Sequence, residues 1–332
     1  MSGDKMIRTD EISVVVQGPI YPNLTEHNLL SIRNFLPNAE IILSTWHGSN
    51  VYSLNYDKLI LNDDPGGFTH KCNQLKTNNI NRLIVSSRNG IAAAKNKYVL
   101  KIRSDFILKG SSFLKFFDRY DLVEPDFVIF KHKILACSYF SRNPRKVNLM
   151  FHPSDIAFFG LKDDLFNLFD IALMSKSDEF YIKKDGKWDR KYAPEQYIFI
   201  TFLQKNNKNV SCSNYEPASE NNIMQTERYF TSNFIFLDWK LFNLIPPAKL
   251  NNFRKLDHFS CITHIEWKRL YYKYVTLTPN KFAGMNMERL KLNSILLYYR
   301  LLKIIAKLVT LPIVGKKNKK LRKKIRNKIS RI

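Results

Sequence analysis

Apolar residues gather in short continuous runs over the first third of the chain, with polar stretches at helical spacing between them. Residues 12–20, ISVVVQGPI, make a run of strand length that stops at Gly18-Pro19, and a helical pattern then leads to Phe35 and Leu36. Residues 39–45 and 58–61 repeat the strand pattern, the second ending in the turn Asp63-Asp64-Pro65-Gly66-Gly67. A long polar and apolar stretch over residues 68–94 predicts a helix. Residues 98–102 predict a fourth strand that runs straight into Arg103-Ser104-Asp105. Strands alternating with helices imply an α/β fold with a mostly parallel central sheet, and such sheets collect ligands at the carboxyl ends of their strands. Gln17, Asp63, Asp64, Arg103 and Asp105 all fall at such ends.

The second half is less regular. Residues 126–130 and 155–160 predict strands, residues 162–174 and 194–203 predict helices, and residues 230–237 read as a strand or a buried loop. Trp267, Tyr271, Tyr272 and Tyr274 sit at helical spacing among Lys268, Arg269 and Lys273, which core packing or an interfacial face explains more simply than a base-stacking platform. From residue 288 to 311 the pattern is amphipathic, with Arg289, Asn293, Arg300, Lys303 and Lys307 near one stripe. Those cations interrupt the run too often for a bilayer span, so a helix lying in the membrane interface fits better. Pro312 and Gly315 end it, and a segment with ten Lys and Arg follows.

Composition sharpens this picture. The 332 residues are 45% hydrophobic with only 11 Gly and 13 Pro, which excludes disordered and collagen-like chains. With no linker rich in Pro, Gly or Ser and no internal repeat, residues 1–287 read as one domain and residues 288–332 as a basic tail. Four dispersed cysteines provide neither a CxxC zinc pair nor a disulfide framework, so they read as buried thiols of a reducing compartment. No apolar signal segment precedes the first strand, and the expected location is the cytoplasm. Of the formal charge of +24, fourteen units lie in residues 291–332, which contain no acid. Each cation near an anionic leaflet contributes about 1 kcal/mol, so the tail is expected to hold the protein on the inner face of the membrane. A solvated tail and a nucleic-acid arm are the alternatives. Leu321, Ile325 and Ile329 recur every fourth residue, which favours lipid, and no nucleic-acid partner is expected.

Three segments carry candidate chemistry. The first is YVLKIRSDFIL, residues 98–108, where a buried strand delivers Asp105 to its end. A carboxylate placed there, with phosphate oxygens, suits Mn²⁺ or Mg²⁺. The usual pair of acids separated by one residue is absent, because Arg103 stands where the first would be, and an Arg there can contact a diphosphate itself. A turn role for Asp105 is the plain alternative. In APEQYIFITFLQK, residues 193–205, Pro194 is placed to begin a helix and Glu195 to occupy its first turn, either as a base that deprotonates an acceptor hydroxyl or as an ordinary partner of the helix dipole. The third segment, FHPSDIAFFG, offers His152 and Asp155 for sugar hydroxyls or a metal, or for a turn. His258 and His264 are weaker metal candidates. No P-loop, GxGxxG, GxSxG or HExxH sequence occurs.

Taken together, VVVQGPI, the predicted helix with Asn73 and Gln74, SSRNGIAAAKNKYVLKIRSDFIL, HPSDIAFFG and PEQY make the chain resemble the WavE lipopolysaccharide-synthesis family of bacterial glycosyltransferases, over about residues 12–274. The resemblance implies a GT-A-like domain that moves sugar from a nucleotide-sugar donor to a growing lipopolysaccharide or capsule glycan on a lipid-linked acceptor. It assigns Lys101, Arg103 and Asp105 to the family's KxRxD element, with Asp105 at the metal and diphosphate. Gln17, Gly18, Asp63, Asp64 and Asn73 flank the nucleotide, Asp155 orients a sugar, and Glu195 of the PEQ element takes the proton. A non-catalytic scaffold of polysaccharide assembly and a sugar nucleotidyltransferase remain the other readings.

Overall fold

The computed structural model describes residues 7–69, 77–182, 188–212, 218–253 and 260–277, with single helical positions between Met287 and Ile305. Four strands follow the apolar runs: β1 (Ile12–Gln17), β2 (Glu40–Trp46), β3 (Lys58–Asn62) and β4 (Tyr98–Arg103). Val14, Val15, Val16, Ile41, Ile42 and Leu43 are wholly buried, as strands covered on both faces require. Each such side chain contributes about 1.5–3 kcal/mol. The remaining strands are β5 (Ile107–Leu108), β6 (Ile134–Cys137), β7 (Ala157–Leu161), β8 (Phe180–Ile182), β9 (Trp188–Arg190), β10 (Phe234–Leu237) and β11 (Leu244–Ile245).

Seven of them form the central sheet, in the order β3-β2-β1-β4-β7-β6-β10. The pairs β3/β2, β2/β1, β1/β4 and β6/β10 are parallel. β7 runs antiparallel to both β4 and β6. Small antiparallel ribbons join β5 to β11 and β8 to β9.

The helices are α1 (Leu24–Phe35), α2 (Ile80–Ala92), α3 (Lys162–Phe169), α4 (Pro194–Lys205), α5 (Glu220–Asn233) and α6 (His264–Tyr274). α2 packs on β1 and β2, α3 on β7, and α5 and α6 on β10. At Gly90 of α2 a Cβ would stand 2.5 Å from Val15 Cγ1 and 3.0 Å from the Ser44 Cβ, so only glycine lets this helix lie so close to the sheet. α6 begins with a capping box in which Thr263 Oγ1 accepts from Glu266 N at 3.3 Å and Glu266 Oε2 accepts from Thr263 N at 2.9 Å.

The structure departs from the sequence pattern in four places. Helix α2 starts at Ile80 rather than near residue 68, because Phe68 pairs instead with Asn78 in an antiparallel bridge. Residues 126–130 are not a strand: Pro125–Phe127 is a single 3-10 turn, and Ile129 N and Phe130 N donate to the Asn233 side chain at 2.8 and 3.3 Å instead of joining a ladder. The strand of this region, β6, begins at Ile134. α3 ends at Phe169, short of residue 174. α5 is a helix the apolar pattern did not indicate.

Among the described residues no helix is long and apolar enough to cross a membrane. Leu290, Leu297, Leu301, Ile304 and Ile305 are helical and exposed. The basic segment from residue 316 onward, with Leu321, Ile325 and Ile329, lies outside the described residues, as do Asn73, Gln74, Cys72 and His258.

Candidate active site

From β1 the chain turns toward β2 and β3, whereas β4 lies on β1's other side; this reversal of strand order leaves a crevice at the carboxyl ends. Gly18 has φ +124°, and a Cβ there would meet Ser104 Oγ at 3.1 Å, so the two strand ends approach backbone to backbone. Ser104 N donates to Gln17 O at 2.9 Å and Ser104 Oγ to Pro19 O at 2.7 Å. Asn28 of α1 pins the same loop by donating to Arg103 O at 3.0 Å and to Phe106 O. Here lies a cleft of about 520 Å³.

Of the residues expected from the sequence, Gln17, Gly18, Asp64, Arg103, Asp105, Asp155 and Glu195 line this cleft together. Asp63 does not; it is fully exposed beside the rim, 3.8 Å from His47 Nε2. Lys101 lies beneath the floor, completely buried. Its Nζ donates to Asp155 O, stands 4.0 Å from Asp155 Oδ2, and lies 5.7 Å from the Phe169 ring centroid. Burial pushes the Lys101 ammonium down to about 8, against the pull of Asp155.

Lys101, Arg103 and Asp105 alternate along the chain with Leu100 and Ile102, which face the core. Arg103 makes a forked pair with Asp105, Nε to Oδ1 at 3.0 Å and Nη2 to Oδ2 at 2.9 Å. Lys249 adds its Nζ to the same Oδ2 at 2.7 Å while lying 4.3 Å over the Tyr21 ring. Burial opposes ionisation of Asp105, but Arg103 and Lys249 outweigh it and hold the carboxyl below its ordinary range. Burial likewise works against the Arg103 charge, and Asp155 and Asp105 more than restore it.

The adjoining wall comes from α4 and the loop before β7, which meets the end of β4 where Arg103 N donates to Ile156 O at 3.1 Å. Pro194 and Glu195 occupy the first turn of α4, where Gln196 Oε1 accepts from Ala193 N at 3.2 Å. Glu195 Oε2 is 3.4 Å from His152 Nε2. The loop holding His152 and Asp155 is firmly tied. Arg142 N donates to His152 O at 2.9 Å, Ser154 N to Ser141 Oγ at 2.8 Å, and Phe151 takes a left-handed φ of 53°. Burial, with Arg142 second, lowers His152 to about 3, so its imidazole is neutral. Burial, with Asp155 second, raises Glu195 to about 7, overriding the helix dipole that favours an anion there. The cleft therefore holds a fixed guanidinium together with a carboxyl that exchanges its proton near neutrality.

The carboxylates do not fit a divalent cation. Both Asp105 oxygens are taken by cations, Asp64 is forked to Arg82 at 2.7 and 2.6 Å, Asp155 belongs to Lys101, and Glu195 to His152. No group of three His, Cys, Asp or Glu among the described residues is arranged to hold a metal ion. His264 is buried in the core against Trp267, with Nδ1 2.7 Å from Phe236 O.

Tyr21, Trp46, Arg82 and Arg190 also line the cleft and were not singled out from the sequence. Trp46 ends β2 as Gln17 ends β1, and Arg82 lies in the first turn of α2, so the carboxyl-end rule would have found both; Arg190 carries no such signal. Gln17 is buried, and its Oε1 has no hydrogen-bond donor among the described residues. An orphaned acceptor at a cleft wall is a place for a ligand N–H or O–H.

No curated protein sequence matches the chain. Among solved structures it is similar to TarS of S. aureus (13% identity, TM-score 0.30), covering 79% of this chain and 42% of TarS. It is also similar to TarS residues 1–349 (13%, TM-score 0.31), covering 96% of this chain and 89% of that one. A third is the 4-diphosphocytidyl-2C-methyl-D-erythritol synthase of Anaerococcus prevotii (10%, TM-score 0.29), covering 66% and 97%. Likenesses so distant carry no weight for the chemistry. The family match does: residues 12–304, which hold the whole cleft, match the WavE lipopolysaccharide synthesis family, and the chain belongs to it.

Proposed function

We propose that the protein is a GT-A-like glycosyltransferase that moves a sugar from a nucleotide-sugar donor to a growing lipopolysaccharide or capsule glycan. The observation that carries this is the pairing, in one cleft, of Arg103 with a Glu195 carboxyl poised near neutrality. Inverting sugar transfer, the course in which Glu195 would serve as base, needs both functions at the reacting carbon: positive charge where the nucleoside diphosphate leaves, and a base where the acceptor hydroxyl enters. In this reading the nucleoside lies toward Gln17, Gly18 and Trp46, and the Gln17 acceptor takes one of its polar hydrogens. Glu195 removes the acceptor proton as the acceptor oxygen bonds to the anomeric carbon and the carbon–phosphate-oxygen bond breaks. Asp155 orients a sugar hydroxyl, and neutral His152 holds the Glu195 carboxyl in place.

Incubating the full chain with a panel of nucleotide sugars and an acceptor glycan should release nucleotide from one donor and extend the glycan. Release from none of them would leave the scaffold reading. Pyrophosphate formed from a nucleoside triphosphate and a sugar phosphate would point to a nucleotidyltransferase.

A lipid-linked acceptor requires the enzyme at the cytoplasmic membrane face, and the basic tail supports that placement. The exposed apolar positions from Leu290 to Ile305 precede ten Lys and Arg in residues 316–331. The full chain is expected to sediment with vesicles containing phosphatidylglycerol and not with pure phosphatidylcholine. A variant with those ten cations changed to Gln should stay in the supernatant; equal sedimentation of both would refute an electrostatic anchor.

A further inference from the structure

The sequence pattern points to Asp105 as a metal ligand, yet both of its oxygens already have partners in the protein. It spends them on Arg103 and Lys249 and is almost fully buried. Coordination of Mn²⁺ or Mg²⁺ would have to pull Asp105 from two cations at once and bring a further positive charge beside them. The opposite arrangement, a cation on the wall of the cleft, is present, with Asp155 nearby as a further counter-charge. Nε and Nη2 of Arg103 are fixed by Asp105, which sets the plane of the guanidinium, and Nη1 makes no hydrogen bond within the described residues. The side chain stays partly exposed, at 30%, on the cleft wall. Arg82 also lines the cleft, in the first turn of α2, the end of a helix that favours anions, although it is more fully engaged, by Asp64 through Nε and Nη2 and by Asn79 Oδ1 through Nη1 at 2.7 Å. Gln17 adds an independent sign of a missing ligand, an orphaned buried acceptor in the same cleft. A guanidinium held by a carboxylate on one side is a pre-organised fork for phosphate oxygens on the other.

We infer that this cleft binds the diphosphate of its donor directly on the guanidinium of Arg103, with Arg82 as a second contact, and without a divalent cation. The inference rests on the nucleotide-sugar reading given above and specifies how that site neutralises the leaving group. Asp105 is then a positioning residue for Arg103 rather than a metal ligand.

Calorimetric titration of UDP and of GDP into the full chain, in excess EDTA and separately in excess MnCl₂, tests it. At least one nucleotide should bind, with the same affinity within about twofold in both buffers. Arg103→Gln should weaken that binding roughly ten- to hundredfold, the value of one or two charge-assisted hydrogen bonds, with Arg103→Lys in between because an ammonium has no fork. Should Arg103→Gln unfold, as its thermal transition would reveal, Arg82→Gln carries the comparison and should weaken binding severalfold. Binding seen with Mn²⁺ and lost in EDTA would overturn the inference while leaving the glycosyltransferase reading standing. Undiminished affinity in both folded arginine variants would overturn it as well. If neither nucleotide binds in either buffer, the nucleotide-sugar reading fails, and the inference fails with it.

Discussion

Replacing Glu195 by Gln is expected to reduce kcat for sugar transfer by about 10²–10⁴-fold, with the donor KM changing little, because the lost function is proton removal in the transition state. The same carboxyl sets the pH dependence. Raised to about 7 by burial and by Asp155, it acts as a base only once deprotonated, so kcat of the unaltered protein should climb with pH through neutrality and then level off. Stability should run the other way. A carboxyl whose pKa rises on folding from its ordinary 4.5 to about 7 keeps its proton in the folded state at pH values where the unfolded chain has released it. Its contribution is therefore whole below about pH 4.5, shrinks as pH rises, and is gone above pH 7. Gln resembles the protonated acid at every pH. Glu195→Gln should accordingly match the parent's melting temperature in acid and exceed it at alkaline pH, by the shift that a stability gain of about 3 kcal/mol produces. Thermal melts across the pH range together with a pH–rate profile check both halves. A variant that kept its full rate would remove Glu195 from the chemistry, and a melting difference that did not vary with pH would remove its unusual proton affinity.

The second large effect belongs to Asp105. Its carboxylate is the shared counter-charge of Arg103 and Lys249, and Asn in its place removes the partner of Lys249 and leaves Arg103 with Asp155 alone. Breaking a buried pair from one side typically costs about 3–5 kcal/mol; with Lys249 half exposed and Arg103 keeping Asp155 the cost should fall below that range, and Asp105→Asn should still lower the midpoint of urea unfolding at neutral pH. Any folded fraction should bind nucleotide poorly, because Arg103 has lost the group that fixes its plane. An unchanged midpoint would mean that this ion triad contributes nothing to stability.

Much of this was legible in the sequence wherever a single stretch of chain decides the outcome. β1, β2 and β4 are buried on both faces, so unbroken apolar runs announce them, and Pro194 marks the start of α4. α5 escaped notice because its buried face is itself polar: Thr226, Glu227, Thr231, Ser232 and Asn233 are all inside, leaving no apolar stripe at helical spacing. Residues 126–130 looked like a strand because they are apolar, but their amide groups are satisfied by the Asn233 side chain, a partner supplied by distant sequence. The site divides in the same way. The KxRxD run and the PEQ element located Arg103, Asp105 and Glu195 correctly on strand end and helix start. That Lys249 would fill the remaining valence of Asp105, and that Lys101 would lie under the floor rather than in the cleft, depended on contacts between segments far apart in the chain.

The single reversed strand in the sheet has a wider consequence. Because β7 enters beside β4 head to tail, Ile102 pairs with Ala157, and the peptide groups of Arg103 and Ile156 meet at 3.1 Å. The segment leading into β7 is thereby delivered to the rim at which β4 finishes. The molecule thus has two margins of independent origin around one opening: one formed by outgoing strands, the other by an incoming loop and the start of α4. Changes in residues 151–156 and 193–196 can therefore reshape one margin of the opening while the strand ends that form the other stay in place.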